Sequence, residues 1–473
     1  MKKNKKFKKL NITLLLILLF ALAIRLIFAF GFHEIWWDSG VYIGMGKTIF
    51  SGGESGLYEH IRPPLVPIVL GGFWLLGLDP ALFGRLFEIV LMLGIVALTY
   101  LLAKEWFSEK IALLSSLIIA VSPIFFYLSF HQYTEIPSTF FALLALFLLV
   151  QKKYIWSGIS VGICFLSKFP AGIILIPIGL YLLFKKEWKH SLFVLAGFSI
   201  PVIPYLISNW YFFGSFIGPL IFAQETINRT LGCNVIRAQP WWQYFYWLIF
   251  SETKLHLFGI VGIFALIKNW NKKWILFSLC LTIPLIYFIP LSCRDYRYIT
   301  IFLPFFAMLT AIGIMYLFEK IIKKEKWFYL LIIILTAFML HTSISFYFAN
   351  ERATLNPGEE IYFSYPDTIK TQKEIWTSNP IHAAYTENKL QKLYYPVYDQ
   401  GLARDFYDYL QQNPDKIGAV MLDNCGGGII CPPNDAICEQ RTTQTIQYLD
   451  ENMNRTLDLN YGRCWYRAWT TFS

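Results

Sequence analysis

Charged side chains are scarce in this chain. Asp, Glu, Lys and Arg make up 15% of the 473 residues, whereas 56% of the residues are hydrophobic and 18% are aromatic. The mean hydropathy is +0.47. A soluble domain carries about 25% charged residues, so this composition excludes an ordinary soluble protein and indicates a polytopic membrane protein.

Three other signals are also missing. None of the eight cysteines forms a metal-type Cys-x-x-Cys pair. The first apolar run, residues 10–32, lacks a small-residue cleavage site, so we interpret it as a retained helix and not as a signal peptide. The net charge of +10 comes from short Lys and Arg clusters between apolar runs, where such clusters set orientation. We therefore expect no nucleic-acid partner.

Basic clusters lie at residues 2–9, 104–110, 152–153, 185–189, 268–273 and 320–326. The positive-inside rule places all six in the cytoplasm, with the N-terminus. The apolar stretch 64–78 is then a juxtamembrane or re-entrant segment, and the C-terminal tail lies outside the cytoplasmic membrane. The predicted crossings are 10–32, 81–103, 111–130, 136–150, 155–167, 169–184, 191–211, 253–268, 274–292, 298–318 and 327–348.

Apolar runs stop after Asn350, and the tail has the pattern of a small α/β domain. We predict strands at 374–377, 393–397 and 417–422, helices at 402–412 and about 435–452, and strand-like sequence over 461–471. The fold class is thus an all-α membrane domain of about eleven helices (1–349) with an extracytoplasmic α/β domain (350–473). At least one disulfide is expected among Cys425, Cys431, Cys438 and Cys464, with Cys431 closing locally onto Cys438 or Cys425.

The predicted orientation brings scattered ionisable residues to one membrane face. Asp38 follows the first helix and is either a catalytic base or a solvated loop acid, and the neighbouring Trp36 and Trp37 suit an interfacial aromatic belt or a sugar-stacking wall. The residues assigned to this face are Asp38, Arg62, Arg85, His131, Glu135, Lys168, Arg294 and Arg297.

Other residues at this face also have two interpretations each. Glu135 opens a short apolar helix, which suits either helix capping or function. Lys168 is a lone cation at an apolar turn, where it either snorkels to the interface or binds an anion. Arg294 and Arg297 precede an outer helix start, and arginine there suits a phosphate. Together these residues suit the transfer of a chemical group from an anionic, lipid-attached donor to a hydroxyl acceptor.

At these residues the chain resembles the GT-C superfamily of integral-membrane glycosyltransferases, in particular its protein O-mannosyltransferase and aminoarabinose transferase branch. The matching motifs occur in the same order over about residues 10 to 318. They are Trp37-Asp38-Ser39 in the first outer loop, Arg62-Pro63-Pro64-Leu65, Phe83-Gly84-Arg85-Leu86, Ser122-Pro123 with Glu135, Leu166-Ser167-Lys168-Phe169-Pro170, and Arg297-Tyr298-Ile299 up to Pro304.

The resemblance implies a dolichyl- or undecaprenyl-phosphate sugar as donor, inversion at the anomeric carbon, and an acceptor hydroxyl on a protein, lipid or glycan at the outer face. Asp38 is then the base and Glu135 a second acid. The donor phosphate is assigned to Arg62, Lys168, Arg294 and Arg297, and the substrate wall to Trp36, Trp37 and Tyr298.

One position departs from the branch. Ser39 stands where the branch has the second acid of an Asp-Glu pair. The task of this acid is therefore absent, or it falls to Glu34 or Glu54. A divalent metal is left open, because Asp38, His131 and Glu135 could bind one and members of the branch differ on this.

Three other functions are alternatives. A transporter or flippase for a lipid-linked glycan would also need an outward cationic cavity, but no paired inverted segments are visible in the sequence. An oligosaccharyltransferase-like activity is suggested by Trp36-Trp37-Asp38, although in that group a similar signature lies in the soluble domain. A scaffold protein would carry these acids without any catalytic effect.

Overall fold

The computed structural model describes residues 12–229, 239–291, 294–321, 326–393, 400–425 and 436–471. Up to Asn350, the described elements are helices. The helices are α1 (Ile12–Ala29), α2 (Trp37–Phe50), α3 (Leu65–Leu75), α4 (Pro80–Trp106), α5 (Glu109–Ala120), α6 (Pro123–Leu128), α7 (Glu135–Val150), α8 (Tyr154–Ser167), α9 (Leu175–Phe184), α10 (Trp188–Phe213), α11 (Gly218–Arg229), α12 (Gln243–Tyr246), α13 (Phe258–Lys268), α14 (Ile275–Phe288), α15 (Leu303–Ile321) and α16 (Lys326–Asn350).

Every predicted crossing coincides with helical structure. Within the described residues, α1, α4, α10, α15 and α16 are long and apolar enough to cross a membrane. Other predicted crossings are shorter or broken. The predicted span 111–130, for example, is divided into α5 and α6, because Pro123 cannot continue a helix and Ser122 caps a new one by accepting a hydrogen bond from the Phe125 N–H. The chain is a multi-pass membrane protein, and the number of crossings stays a prediction.

The stretch predicted not to span forms α3, which has 11 residues. At 1.5 Å per residue it is about 16 Å long, roughly half of the hydrocarbon thickness. It packs along α2 on the side of the bundle that carries the C-terminal domain.

The sequence predicted an outer loop around Asp38. This prediction was wrong, because the region forms helix α2. A Cβ at Gly40 would lie 2.8 Å from the backbone of Ile381, and a Cβ at Gly46 would lie 2.6 Å from the backbone of Gly71. These glycines let α2 fit between α3 and the C-terminal domain. Glycine costs about 1 kcal/mol in a helix, which lowers the local propensity, but this packing on two sides offsets the cost.

The C-terminal region is built on one five-stranded sheet with the order β2-β1-β3-β5-β4. Strand β1 pairs in parallel with β2 and β3, whereas β5 pairs antiparallel with β3 and β4. The elements are α17 (Pro357–Ser364), β1 (Glu374–Thr377), α18 (His382–Tyr385), β2 (Leu390–Lys392), α19 (Gln400–Gln412), β3 (Ile417–Asp423), α20 (Ala436–Asn452), β4 (Asn454–Tyr461) and β5 (Cys464–Thr470). The predicted α/β class is confirmed.

The two faces of the sheet pack against different partners. One face buries Met421 and Ala468 in a cluster with Met45 of α2, so α2 forms part of the core of this domain. The other face buries Val420 and Trp469 under α19 and α20. Asp38, in the first turn of α2, is therefore held by the C-terminal domain as well as by the membrane helices.

Two sequence predictions about the tail need correction. The second strand is β2 at Leu390–Lys392, and most of the predicted 393–397 lies outside the described residues. A disulfide joins Cys425 to Cys464. The prediction of at least one disulfide is confirmed, but local closure of Cys425 onto Cys431 is wrong because the partner of Cys425 is 39 residues away on β5. Cys431 lies outside the described residues.

Candidate active site

A cavity of about 320 Å³ opens between α2, α7, α11 and two 3₁₀ segments, Phe169–Ile174 and Tyr296–Ile301. Its wall combines ionisable side chains with aromatic and aliphatic ones. The lining residues on which the argument depends are Asp38, Tyr42, Arg62, Glu135, Phe165, Lys168, Phe169, Tyr287, Arg297 and Tyr298.

Asp38 lies between two arginines. Its Oδ1 is 3.0 Å from Arg62 Nη1, and its Oδ2 is 2.8 Å from Arg297 Nη1. Burial by itself would raise the pKa of this carboxyl, but the charges of Arg62 and Arg297 outweigh burial and lower the pKa to about 2. Asp38 is therefore ionised at neutral pH, and both of its oxygens are engaged.

Each arginine also binds a second carboxylate. Arg62 Nε lies 3.0 Å from Glu59 Oε2, and Arg297 Nη2 lies 3.2 Å from Asp295 Oδ2. Asp295 has a further task, since its Oδ1 accepts a hydrogen bond of 2.9 Å from the Arg297 N–H and so caps the 3₁₀ segment that carries this arginine. The second carboxylate thus fixes the position of each guanidinium group.

Glu135 and Lys168 form a second ion pair on the cavity wall. Lys168 follows the end of α8, and its Nζ lies 2.7 Å from Glu135 Oε1 in the first turn of α7. The other oxygen of Glu135 accepts a hydrogen bond of 3.3 Å from the Thr134 hydroxyl. Among the contacts described for this carboxylate, its partners are side chains, which disfavours the alternative of helix capping.

The three cations of the cavity share one feature. Each guanidinium or ammonium group stands over the ring of a tyrosine, an arrangement that is attractive and that restricts the position of the cation. The distances to the ring centroid are 5.8 Å for Arg62 over Tyr42, 4.8 Å for Arg297 over Tyr133, and 4.4 Å for Lys168 over Tyr298.

Three predicted site residues do not line the cavity. Arg294 donates hydrogen bonds to the backbone carbonyls of Gln239 and Ile289 and so braces the chain around it. The Trp36 ring packs 4.8 Å from the ring of His131, and Trp37 packs against the core of the C-terminal domain. The roles predicted for Arg294 in phosphate binding and for the two tryptophans in a substrate wall are therefore corrected, whereas Tyr298 does line the cavity.

Of the three residues considered for a metal, His131 lies apart from the two carboxylates of the cavity. His131 Nε2 lies 3.0 Å from Glu351, whereas Asp38 and Glu135 are each paired with cations of the cavity. Over the described ranges, no group of three or more His, Cys, Asp or Glu side chains is arranged to hold a metal ion. Positive charges next to both carboxylates disfavour a divalent cation. The donor set does not fit the proposed metal site.

Glu34 and Glu54, the candidates for the missing second acid, also lie elsewhere. Glu34 forms an ion pair with Arg352, and Glu54 is exposed in the loop after α2. Arg85, in a family motif, donates to the carbonyls of Phe130 and Ala29. This places Arg85 in a bracing role between helices.

Sequence reasoning missed Glu59, Asp295, Tyr42 and Tyr133. Local spacing offered a signal for two of them. Tyr42 follows Asp38 by four positions, which places both on one face of a helix once α2 is recognised. Asp295 precedes Arg297 by two positions, a spacing typical of a cap at a helix start.

The basic turns come together away from this cavity. The Tyr154 hydroxyl donates to Glu187 Oε2 at 3.2 Å, which joins the turn before α8 to the turn before α10. Trp274 Nε1 donates to the Trp106 carbonyl at 2.9 Å, which joins the end of α4 to the start of α14. Helices α7, α8, α14 and α15 each have one end at the cavity and the other end beside a basic turn, so the described basic turns at these helices lie at the end of the bundle opposite the cavity.

A family model and two relatives match the sequence. The family model for dolichyl-phosphate-mannose-protein mannosyltransferase matches residues 61–210. Two uncharacterized proteins of Aquifex aeolicus (strain VF5) are 25% identical to this chain over 378 and 375 residues. These matches cover 74% and 72% of this chain, and 82% and 71% of the relatives.

Solved structures share the fold. The crystal structure of ArnT from Cupriavidus metallidurans bound to undecaprenyl phosphate matches with a TM-score of 0.63 and 13% identity, over 96% of this chain and 97% of ArnT. An Archaeoglobus fulgidus oligosaccharyltransferase, crystallised with Zn and sulfate, matches with a TM-score of 0.60 and 13% identity, over 87% of this chain and 68% of its own. The family match covers about a third of the chain, and the structural matches show that the chain has the fold of ArnT and of the oligosaccharyltransferase.

Proposed function

We propose that this chain is a glycosyltransferase that moves a sugar from a polyprenyl phosphate to an acceptor hydroxyl at the outer face of the membrane. The observation that carries the proposal is the convergence of Arg62, Lys168 and Arg297 on two carboxylates, Asp38 and Glu135, within one cavity. Cations of this kind suit a phosphate that gains charge as its bond to the sugar breaks.

The donor class follows from the chemistry of the wall. Arginine grips a phosphate with two hydrogen bonds, and lysine adds a point charge. Beside the cations the wall is apolar, with Phe165, Phe169 and Tyr287, which suits the first isoprene units of a lipid. The related ArnT was crystallised with undecaprenyl phosphate, which supports a donor of this class.

The reaction needs one base and a stabilised leaving group. The acceptor oxygen attacks the anomeric carbon, the bond from that carbon to the phosphate oxygen breaks, and the phosphate leaves with the electron pair. Asp38 takes the hydroxyl proton, and Arg62, Lys168 and Arg297 stabilise the phosphate. Attack opposite the leaving phosphate inverts the anomeric centre. Glu135 holds Lys168 in place and presents a second carboxylate toward the acceptor.

The proposed sidedness rests on the two ends of the bundle. Positive turns favour the cytoplasm, so the cavity and the sheet domain would face outward. The acceptor would then be a protein, lipid or glycan outside the cytoplasmic membrane.

The rival functions have less support. A transporter for lipid-linked glycans is not favoured, because the family match and the two named structural relatives are glycosyltransferases. The similarity to the oligosaccharyltransferase is a similarity of fold. In the Trp36-Trp37-Asp38 segment, both tryptophans pack against other side chains and do not line the cavity.

A transfer assay tests the proposal. Membranes containing the full chain are given a radiolabelled polyprenyl-phosphate sugar, and label transferred to membrane acceptors is counted. Asp38→Asn should reduce transfer by about 10²- to 10⁴-fold, the usual loss of a general base. Glu54→Gln removes an exposed acid from the same outer segment and should leave transfer unchanged. Transfer by Asp38→Asn at the rate of Glu54→Gln would refute the catalytic assignment.

A further inference from the structure

We propose that Asp38 is held inactive in the donor-free enzyme and that the donor phosphate releases it by taking its place between Arg62 and Arg297. Glu59 and Asp295 are the positioning residues that keep the two arginines in place during this exchange. The inference rests on the proposed function, since it requires an anionic donor in the cavity.

The ion-paired arrangement of Asp38 is unsuited to catalysis. Both oxygens of Asp38 contact guanidinium nitrogens, at 3.0 and 2.8 Å, and only 18% of its side chain is exposed. A base must form a hydrogen bond with the acceptor hydroxyl, and its pKa should be near the working pH. The two arginines hold the pKa of Asp38 to about 2 against the effect of burial. An arginine-bound Asp38 therefore meets neither requirement.

The arginines use separate nitrogens for their two partners. Arg62 contacts Asp38 through Nη1 and Glu59 through Nε. Arg297 contacts Asp38 through Nη1 as well, and Asp295 through Nη2. Asp38 lines the cavity, whereas Glu59, which is only 3% exposed, and Asp295 are not among the residues of its wall. A phosphate entering the cavity meets the two nitrogens that hold Asp38.

The charges allow a one-for-one exchange. A sugar phosphodiester carries one negative charge, as does ionised Asp38, so the arginines keep the same number of anionic partners when one replaces the other. No covalent bond changes in this step. The released carboxylate is then free to accept the proton of the acceptor hydroxyl. The donor would therefore bind before the acceptor, and Asp38 would become a competent base only beside a bound donor.

Two variants separate this exchange from a general effect of charge. Each removes one carboxylate partner of Arg62. Asp38 and Glu59 both lie 3.0 Å from Arg62, so Asp38→Asn and Glu59→Gln each remove one negative charge from the same guanidinium. Undecaprenyl phosphate is titrated into the purified full-length chain at pH 5, below its second pKa of about 6, so that it carries one negative charge like the donor, and the Kd is measured. Asp38→Asn removes the competitor and should tighten binding about tenfold, the scale of one charged hydrogen bond. Glu59→Gln removes a support of Arg62 and should not tighten binding.

The outcomes separate the two proposals. No binding of undecaprenyl phosphate by the wild-type chain would refute the proposed function together with the exchange. Wild-type binding and sugar transfer, with Asp38→Asn no tighter than wild type or with equal tightening by Glu59→Gln, would overturn the exchange alone.

The wild-type chain gives an independent readout should Asp38→Asn fold poorly. With ¹³C-carboxyl aspartate incorporated, undecaprenyl phosphate should shift one aspartate carboxylate band in the infrared difference spectrum. Glu59→Gln should retain that shift, because it leaves Asp38 in place. Binding without a shift of an aspartate band would overturn the exchange.

Discussion

Lys168 Nζ lies 2.7 Å from Glu135 Oε1, although 33 positions separate the two residues. The pair joins the end of α8 to the start of α7 at the wall of the cavity, where side-chain exposure is 14% for Lys168 and 3% for Glu135. A lone lysine at an apolar turn is thus neither snorkelling into solvent nor unpaired. It is held at one position, which a phosphate-binding cation requires.

The first prediction concerns Lys168 in donor binding. Lys168→Ala removes a charge that attracts phosphate before the reaction begins, so it should weaken undecaprenyl phosphate binding by about tenfold or more, as loss of a charged hydrogen bond does. It should also lower kcat/KM for sugar transfer. Lys168→Arg, as the matched control, keeps the charge and should retain most of the affinity. Unchanged binding in a folded Lys168→Ala protein would remove Lys168 from the phosphate site.

The second prediction concerns the tyrosines under the cations. Tyr298 lies 4.4 Å below Lys168, and an aromatic face there contributes roughly 0.5–2 kcal/mol. Tyr298→Phe keeps the ring and should change the Kd for undecaprenyl phosphate little, whereas Tyr298→Leu should raise it by several-fold. If both variants bind with the same Kd, the ring face plays no part in donor binding.

The third prediction concerns the pH dependence of the sheet domain. Burial raises the pKa of Asp423, on β3, from 3.8 to about 7. The folded domain therefore binds a proton that the unfolded chain releases, so this group's contribution to stability is complete below pH 4 and is lost as the pH rises through 7. The loss is up to roughly 4 kcal/mol.

Hydrogen exchange of the β3 amides, corrected for the intrinsic rate at each pH, measures this effect. Wild-type protection should fall between pH 5 and pH 8 relative to Asp423→Asn, which cannot ionise at this position. Parallel pH profiles for the two proteins would show that Asp423 has no raised pKa in the folded domain.

The fourth prediction concerns sidedness. Cysteines replace three exposed residues: Glu54 after α2, Glu451 on α20, and Lys185 at a basic turn. On intact cells, a membrane-impermeant maleimide should label Glu54→Cys and Glu451→Cys above the wild-type background, and should label Lys185→Cys only after permeabilisation. Labelling of Glu54→Cys and Lys185→Cys from the same side would contradict the proposed topology.

Much of the fold follows from patterns that are local in sequence. Long apolar runs located the membrane helices, and short apolar segments located β1 and β3 in the sheet domain. The pattern failed at α2, where three glycines in 14 residues resemble a loop. Its helical state depends on close contact with α3 and the sheet domain, which no local pattern contains.

The candidate site was predictable in part for the same reason. Charges at predicted outer helix ends identified Asp38, Arg62, Glu135, Lys168 and Arg297, all of which line the cavity. The same rule also selected Arg294, because sequence cannot tell an arginine that faces a cavity from one that binds nearby carbonyls. The partners Glu59 and Tyr133 could not be assigned, since their roles depend on which side chain lies opposite them after folding.

A cryo-EM structure of the full chain with undecaprenyl phosphate is the most direct test of the account. We predict the phosphate in the cavity, with its oxygens within about 3 Å, a charged hydrogen-bond distance, of at least two of Arg62, Lys168 and Arg297. Asp38 should then have separated from the arginine nitrogens that the phosphate contacts. Phosphate density at another position, with the Asp38 ion pairs to Arg62 and Arg297 intact, would contradict the account.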